Sequence, residues 1–587
     1  MDMVARRARV IRLALTLVLV TIPASAVPAW AGERVATTFF PEPDAGRPPD
    51  LRPPPPSFEG KVFVRDASGA LRPRALPVPL LGPSILAFPP TPGGDRYLQD
   101  GSETSVAINP GNGDNLIGVY NEAWGFDPDI PHSNSIDGNV SWTSRSFPIG
   151  SGTFTGVPFD PWANPGNAAG VFFSTEIRRD AGASGNAHVV VSRSTDSGAS
   201  FSLFFERLKA VAQDRAMVDV DRTTARGGGS GTAHDDKLFL GYDDFGAGRG
   251  PYVGSFLQVI SSAGNGLTEI QVSGTGSPPF RGSQLQPVAG TTDGTIYLLA
   301  QAIGGSPLGS TQFTYFHEIT NGGAGPNTFF NKATLSWAAT GQQLGSSSRF
   351  GLNGHRIDDN GYLDVDRSSG SRHGNLYLIS NRNPNPSNSA LDQGDVYISV
   401  SIDGASNWST AVIPTAAGKT QYFPMMDVDD QGWIHIAYYQ NETGSVSGGV
   451  LNASSANIYY TNSTDGGSSW SAPVRVNEAA NELDLVDPPP DRAGVGYYLI
   501  GDYAQIKATG TGPSTKAYVL WTGYDKDRND SFVGDTKQRV LCTTLTGVVQ
   551  PATIPALSPF GTAAFVILMF AAMIGALRVR RREPRSE

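Results

Sequence analysis

Short apolar runs recur along the middle of the chain at a mean spacing of about 67 residues, at 116–120, 170–175, 237–242, 295–300, 375–380, 433–438 and 517–522. Each reads as one strand, rich in Leu, Ile, Val and aromatic residues. Three of them follow an Asp-Val-Asp triplet: Asp219-Val220-Asp221, Asp364-Val365-Asp366 and Asp427-Val428-Asp429. The unit is therefore a first strand ending in an Asp-Val-Asp turn, then a second strand, with room for two more. No long amphipathic helical pattern precedes the C-terminal tail. The expected fold is all-β, a β-propeller of four-stranded blades. Seven blades are favoured, with six plus a split closing unit as the alternative.

A further pattern occurs four times: Ser135-Ile-Asp137-Gly-Asn139-Val-Ser-Trp142, Ser194-Thr-Asp196-Ser-Gly198-Ala-Ser-Phe201, Ser401-Ile-Asp403-Gly-Ala405-Ser-Asn-Trp408 and Ser463-Thr-Asp465-Gly-Gly467-Ser-Ser-Trp470. The Asp carboxylate can accept hydrogen bonds from its own turn, and the aromatic re-enters the sheet to bury its ring. These copies resemble the Asp-boxes (BNR repeats) of the sialidase-like β-propellers. Two match the family pattern fully. Asn139 and Ala405 replace its glycine, with a Gly one place earlier that suggests a variant turn. The resemblance covers roughly 96–546 and implies structural roles for Asp137, Trp142, Asp196, Phe201, Asp403, Trp408, Asp465 and Trp470.

The ends of the chain read differently. Arg6, Arg7, Arg9 and Arg12 precede the apolar run 13–22, which is too short to span a bilayer, and small-x-small sites follow at Ala24-Ser25-Ala26 and Ala29-Trp30-Ala31. Residues 1–31 are expected to be a secretory signal, and the Pro-rich 32–95 a spacer. Within the spacer, Lys61–Arg65 is a candidate strand to close the ring. The propeller is assigned 96–546. Residues 560–577 carry no charge, and four arginines (578, 580, 581 and 582) follow them, as in a single transmembrane helix with a cytoplasmic flank. Just before it, Ile554-Pro-Ala556-Leu-Ser-Pro-Phe560-Gly resembles the Ile-Pro-Thr-Leu-Ser-x-Trp-Gly type of bacterial sorting segment. Residues 547–587 are thus an expected anchor, which places the propeller on the periplasmic or extracellular side of the envelope.

Composition narrows the chemistry. With Cys542 as the one cysteine, no internal disulfide forms. Sixty-nine glycines and 17% charged residues suit short strands joined by tight turns. A net charge of −10 argues against a nucleic-acid partner. No cofactor is implied, and no His/Cys cluster has metal-ligand spacing.

Aligning the units on the Asp-Val-Asp triplet places polar and aromatic residues where the innermost strands begin, at the mouth of the central channel. One column holds Asp214, Asp359 and Tyr422. The next holds Glu103, Arg215, Asn360, Phe423 and Asp502, with Tyr503 beside it. Aromatics can stack on a sugar ring, and carboxylates or Arg can bind its hydroxyls or acid groups. The Asp-Val-Asp carboxylates themselves recur and read as turn residues. The resemblance also supplies an enzymatic alternative, an exo-α-sialidase. Its nucleophile would be Tyr503 or Tyr422, with Glu103 as partner, Asp214 as acid/base and Arg215, Arg356 and Arg281 as grips for a carboxylate. The family's early Phe/Tyr-Arg-Ile-Pro motif is absent. The expected function is therefore binding of a glycan or an envelope protein, with the inner membrane as a second partner through the tail.

Overall fold

The structure is a computed structural model that describes residues 62–65, 71–74, 80–86 and the greater part of 101–547. The expected signal at 1–31 and the tail beyond 547 lie outside the described residues. Among the described residues no helix is long and apolar enough to cross a membrane.

The chain divides into two compact units, 1–80 and 81–587. In the first, Val62–Arg65 pairs antiparallel with Leu71–Arg74. The second is a seven-bladed β-propeller of antiparallel four-stranded blades. The innermost strands, in blade order, are Gly101–Asn109, Phe159–Pro165, Ala212–Val220, Ser283–Ala289, Gly361–Val365, Gln421–Val428 and Gln505–Thr509. Each contacts the next, and the seventh contacts the first, so the ring is closed. The seven apolar runs are the second strands of the seven blades, from Asn112–Glu122 in blade 1 to Lys516–Asp525 in blade 7. They are apolar throughout rather than alternating because a blade packs against a neighbour on both faces. In blade 5, Leu376–Arg382 is buried along its whole length.

Blade 7 is completed by Leu80–Leu86, which pairs with Lys537–Thr546 as its outermost strand. The expectation that Lys61–Arg65 closes the ring is thus corrected. That strand forms its own hairpin, and the closing strand lies further on, inside the segment expected to be a spacer.

Every joint between inner strands carries the same device: a side-chain oxygen accepts a main-chain N–H from the following blade. Ser105 Oγ accepts Ala163 N at 2.8 Å, Asp160 Oδ2 accepts Arg215 N at 2.9 Å, and Asp219 Oδ2 accepts Ala289 N at 2.8 Å. Gln286 Oε1 accepts Leu363 N at 2.9 Å, Asp364 Oδ2 accepts Val428 N at 2.9 Å, and Asp427 Oδ2 accepts Ala508 N at 2.8 Å. Gln505 Oε1 accepts Val106 N at 2.9 Å, which closes the ring. The first Asp of each Asp-Val-Asp triplet is such a pin. The second serves its own turn or the next blade's: Asp366 accepts Ser368 N, Asp429 accepts Gln431 N and Trp433 N, and Asp221 accepts Gly294 N.

The four Ser-x-Asp turns join the third and fourth strands of blades 1, 2, 5 and 6. In each, the Ser hydroxyl accepts the N–H four residues on, and the Asp carboxylate accepts the Ser hydroxyl and a later N–H of the turn. All four are one turn. The third and fourth residues after the Ser both have positive φ, whether glycine or not. Asn139 and Ala405 therefore mark no variant. Asn139 uses its side chain to donate to Cys542 O and Thr544 Oγ1 of blade 7 and accepts Trp142 Nε1. At Gly198 a Cβ would come within 2.4 Å of the Ile117 side chain, so blade 2 requires the glycine. The ring of the motif packs toward the preceding blade. Trp142 lies with Tyr518 and Leu520, Phe201 with Ile117 and Val119, and Trp408 against Phe316 with centroids 4.3 Å apart.

Candidate binding site in the central channel

In blades 1, 2, 3 and 6 the innermost strand slips register near its start, at Ser102/Ser105, Phe159/Trp162, Asp214/Met217 and Tyr422/Met425. Each slip is a β-bulge, and each bulge holds a non-glycine residue at positive φ: Glu103 (52°), Asp160 (54°), Arg215 (52°) and Phe423 (45°). Backbone in this region costs an L-residue of the order of 1–3 kcal/mol. A bulge re-aims its side chain, and all four lie at the channel end where the inner strands begin; three of them carry a charged group there.

Glu103, Asp160 and Arg215 are 3%, 7% and 5% exposed. Tyr503, on blade 7, donates its hydroxyl to Pro161 O on blade 2 at 2.8 Å. Its ring meets Trp162 edge-on with centroids 5.7 Å apart, and Trp162 stacks on Tyr362 of blade 5 at 6.1 Å. Rings from blades 2, 5 and 7 thus meet across the channel and form an aromatic plug, with Met426 in the same cluster. Burial first, then the carboxylates of Glu103 and Asp160, hold the Tyr503 phenol well above its ordinary range, and Arg215 opposes them. The two carboxylates, the guanidinium and the phenol therefore share one field.

Beyond the plug a cavity of about 50 Å³ runs toward the end where the inner strands finish. Trp162 and Tyr362 line it, with Asp219, Asp364, Asp427, Arg367 and Lys507. Three of the carboxylates there are paired: Arg367 bonds Asp219 and Asp364, and Lys507 bonds Asp427 at 2.7 Å. Such a volume suits a few waters rather than a sugar.

The sequence-based candidates divide accordingly. Glu103, Arg215 and Tyr503 come together at the mouth. Tyr422 and Phe423 do not join them; their rings pack with Tyr439 in the apolar cluster shared by blades 6 and 7. Asp214 lies on the inner strand of blade 3, in register with Asp243. Arg281, Arg356, Asp359, Asn360 and Asp502 lie outside the described residues. A nucleophilic Tyr needs a lowered pKa or a base at its hydroxyl. Tyr503 has a raised one, and its proton is given to a main-chain carbonyl. Sequence reasoning missed Asp160, Trp162 and Tyr362. Blade 2 ends its inner strand in Asn164-Pro165-Gly166, so the triplet that set the alignment is missing there. An aromatic two places after the aligned column of Asp160 and Asn360, at 162 and 362, was the available signal.

No family model matches this chain, and no curated protein does. Among solved structures it is similar to the α-L-arabinofuranosidase of Fusarium graminearum in complex with an iminosugar inhibitor. That pair has a TM-score of 0.39 and 12% identity over 64% of this chain and 97% of that one. It is also similar to a xyloglucanase of Xanthomonas campestris (TM-score 0.38, 15% identity, 84% of this chain and 65% of that one). A leech intramolecular trans-sialidase gives a TM-score of 0.36 and 11% identity over 59% of this chain and 66% of that one.

Proposed function

We propose that the protein is a carbohydrate-binding propeller without glycosidase activity, which engages a sugar at the channel mouth. The observation that carries this reading is the set of bulges. Glu103, Asp160 and Arg215 hold charged groups in a strained conformation at equivalent points of three successive blades. Strain repeated at one end of the channel, beside an aromatic plug, is what a pre-organised site requires. Sugars are held in such places by carboxylates and guanidinium on the hydroxyls and by aromatic rings on the C–H face. The four Ser-x-Asp turns fit the Asp-box pattern and on this reading are purely structural. The exo-α-sialidase alternative is disfavoured by the environment of Tyr503. Turnover of a fluorogenic sialoside by the purified protein, lost in Tyr503→Phe, would overturn the binding reading. A glycan array that captures the protein, with capture lost in Arg215→Ala at unchanged secondary structure, would support it.

The same proposal places the protein at a bacterial envelope, exported by residues 1–31 and held by a helix at 560–577. Truncation after Val548 should then release a folded propeller from the membrane fraction; a truncated chain that still pellets with membranes sinks the tether.

A further inference from the structure

We propose that the channel mouth, if it binds carbohydrate as argued above, takes a sugar that carries an amine and rejects one that carries a carboxylate. Three observations lead there. The charged residues on the bulges are two carboxylates, Glu103 and Asp160, and one guanidinium, Arg215, each under one-tenth exposed. They sit on successive blades at equivalent bulges, so their charges act on one small volume, and buried charges are weakly screened by salt. Behind them the plug presents three aromatic side chains, Trp162, Tyr362 and Tyr503. An ammonium group beside carboxylates and aromatic faces gains from both. Farther out on blade 3, Asp243 and Asp244 are buried on the second strand, in register with Asp214 and Gln213, so the blade that supplies the Arg is itself acidic.

A sugar carboxylate meets the opposite field. One arginine faces it, with two buried carboxylates in the same space. A like-charge juxtaposition of this kind lowers affinity on the order of a hundredfold. A neutral sugar escapes both effects and falls between.

The test is calorimetry on the full-length protein with three tetrasaccharides: glucosamine, N-acetylglucosamine and galacturonic acid. The expected order of affinity is amine, then N-acetyl, then uronate, with about a hundredfold between the ends. The whole chain is acidic and will attract any amine, so the variants Glu103→Gln and Asp160→Asn are measured alongside. Both keep an acceptor oxygen, and Asp160→Asn preserves the bond to Arg215 N, so the joint survives. The double variant should lose at least tenfold of the amine preference. Uronate binding as tightly as amine, or an amine preference unchanged in the double variant, overturns the inference. Equal binding of the amine and N-acetyl forms sinks the amine preference alone and leaves the carbohydrate reading intact. No binding of any of the three removes that reading and this inference together.

Discussion

Acidic side chains stand at both ends of the channel and do different work. Where the inner strands finish, Asp219, Asp364 and Asp427 adopt ordinary strand backbone, and each accepts an N–H of the next blade. Two of the three also accept from Arg367 and one from Lys507. Where the strands begin, Glu103 and Asp160 sit at positive φ on bulges, in a field they share with Arg215 and Tyr503. At the first end the carboxylate stabilises the ring. At the second the ring holds the carboxylate in a conformation it would not choose. Asp160 belongs to both groups, because it also pins blade 3.

The sharpest way to break this contrast is Asp427→Ala. It removes the acceptor of Ala508 N and strands Lys507, which is only 17% exposed, so a loss of about 3 kcal/mol is expected. Denaturant unfolding followed by fluorescence measures it, and a midpoint equal to wild type would show that the pins are ornamental. Trp142→Ala opens the joint between blades 1 and 7 and should also cost about 3 kcal/mol. Trp470 is only partly buried, and its loss should cost less.

The Ser-x-Asp turns probe pH. At Asp137, Asp196 and Asp465 burial alone would raise the carboxyl pKa. Hydrogen bonds from the turn's hydroxyls and N–H groups outweigh it and hold each below the usual 3.8. At Asp403 the bonds from Asn407 lead. A depressed folded pKa gives stability that is present above the unfolded value and lost as pH falls through the folded one. Acid titration should therefore show a loss of stability below about pH 4 that shrinks in the fourfold Asp→Asn variant; an identical acid profile would contradict the assignment. Asp465→Ala alone should cost about 1 kcal/mol at neutral pH. The smallest effect is expected at the other end. Glu103→Gly relieves the positive φ and should leave stability within about 1 kcal/mol of wild type while abolishing sugar binding. A collapse of the fold would move Glu103 into the structural group.

Repetition decided what was legible in the sequence. The seven second strands, the triplets and the four turns each recur, and each was found. Counting them favoured seven blades over six, and the contacts of the inner strands close the ring at seven. The turn at Ser261 was overlooked. Its hydroxyl accepts Asn265 N as in the other four, but it lacks the Asp and the aromatic. The site was half visible: Glu103 and Arg215 could be aligned, because Arg215 stands at a fixed distance before its triplet. The cross-channel meeting of Trp162, Tyr362 and Tyr503 was not visible. Blades 2, 5 and 7 are far apart in sequence, and no local pattern reports which rings face one another. Tyr422 misled because an aromatic in the right column can turn to its neighbouring blade instead of the channel.

The order of synthesis gives the closing strand a peculiar history. Leu80–Leu86 is made before any blade, and its partner Lys537–Thr546 follows about 450 residues later. At ~5–20 residues per second, a ribosome needs roughly 20 to 90 s to bridge that interval. Through all of it Leu-Leu-Gly-Pro-Ser-Ile-Leu is a sticky segment without its mate, next to emerging strands that offer wrong ones. Pro83 withholds one ladder donor and Gly82 weakens strand propensity, so premature pairing is discouraged. The first piece of the ring to be translated is thus the last to be used.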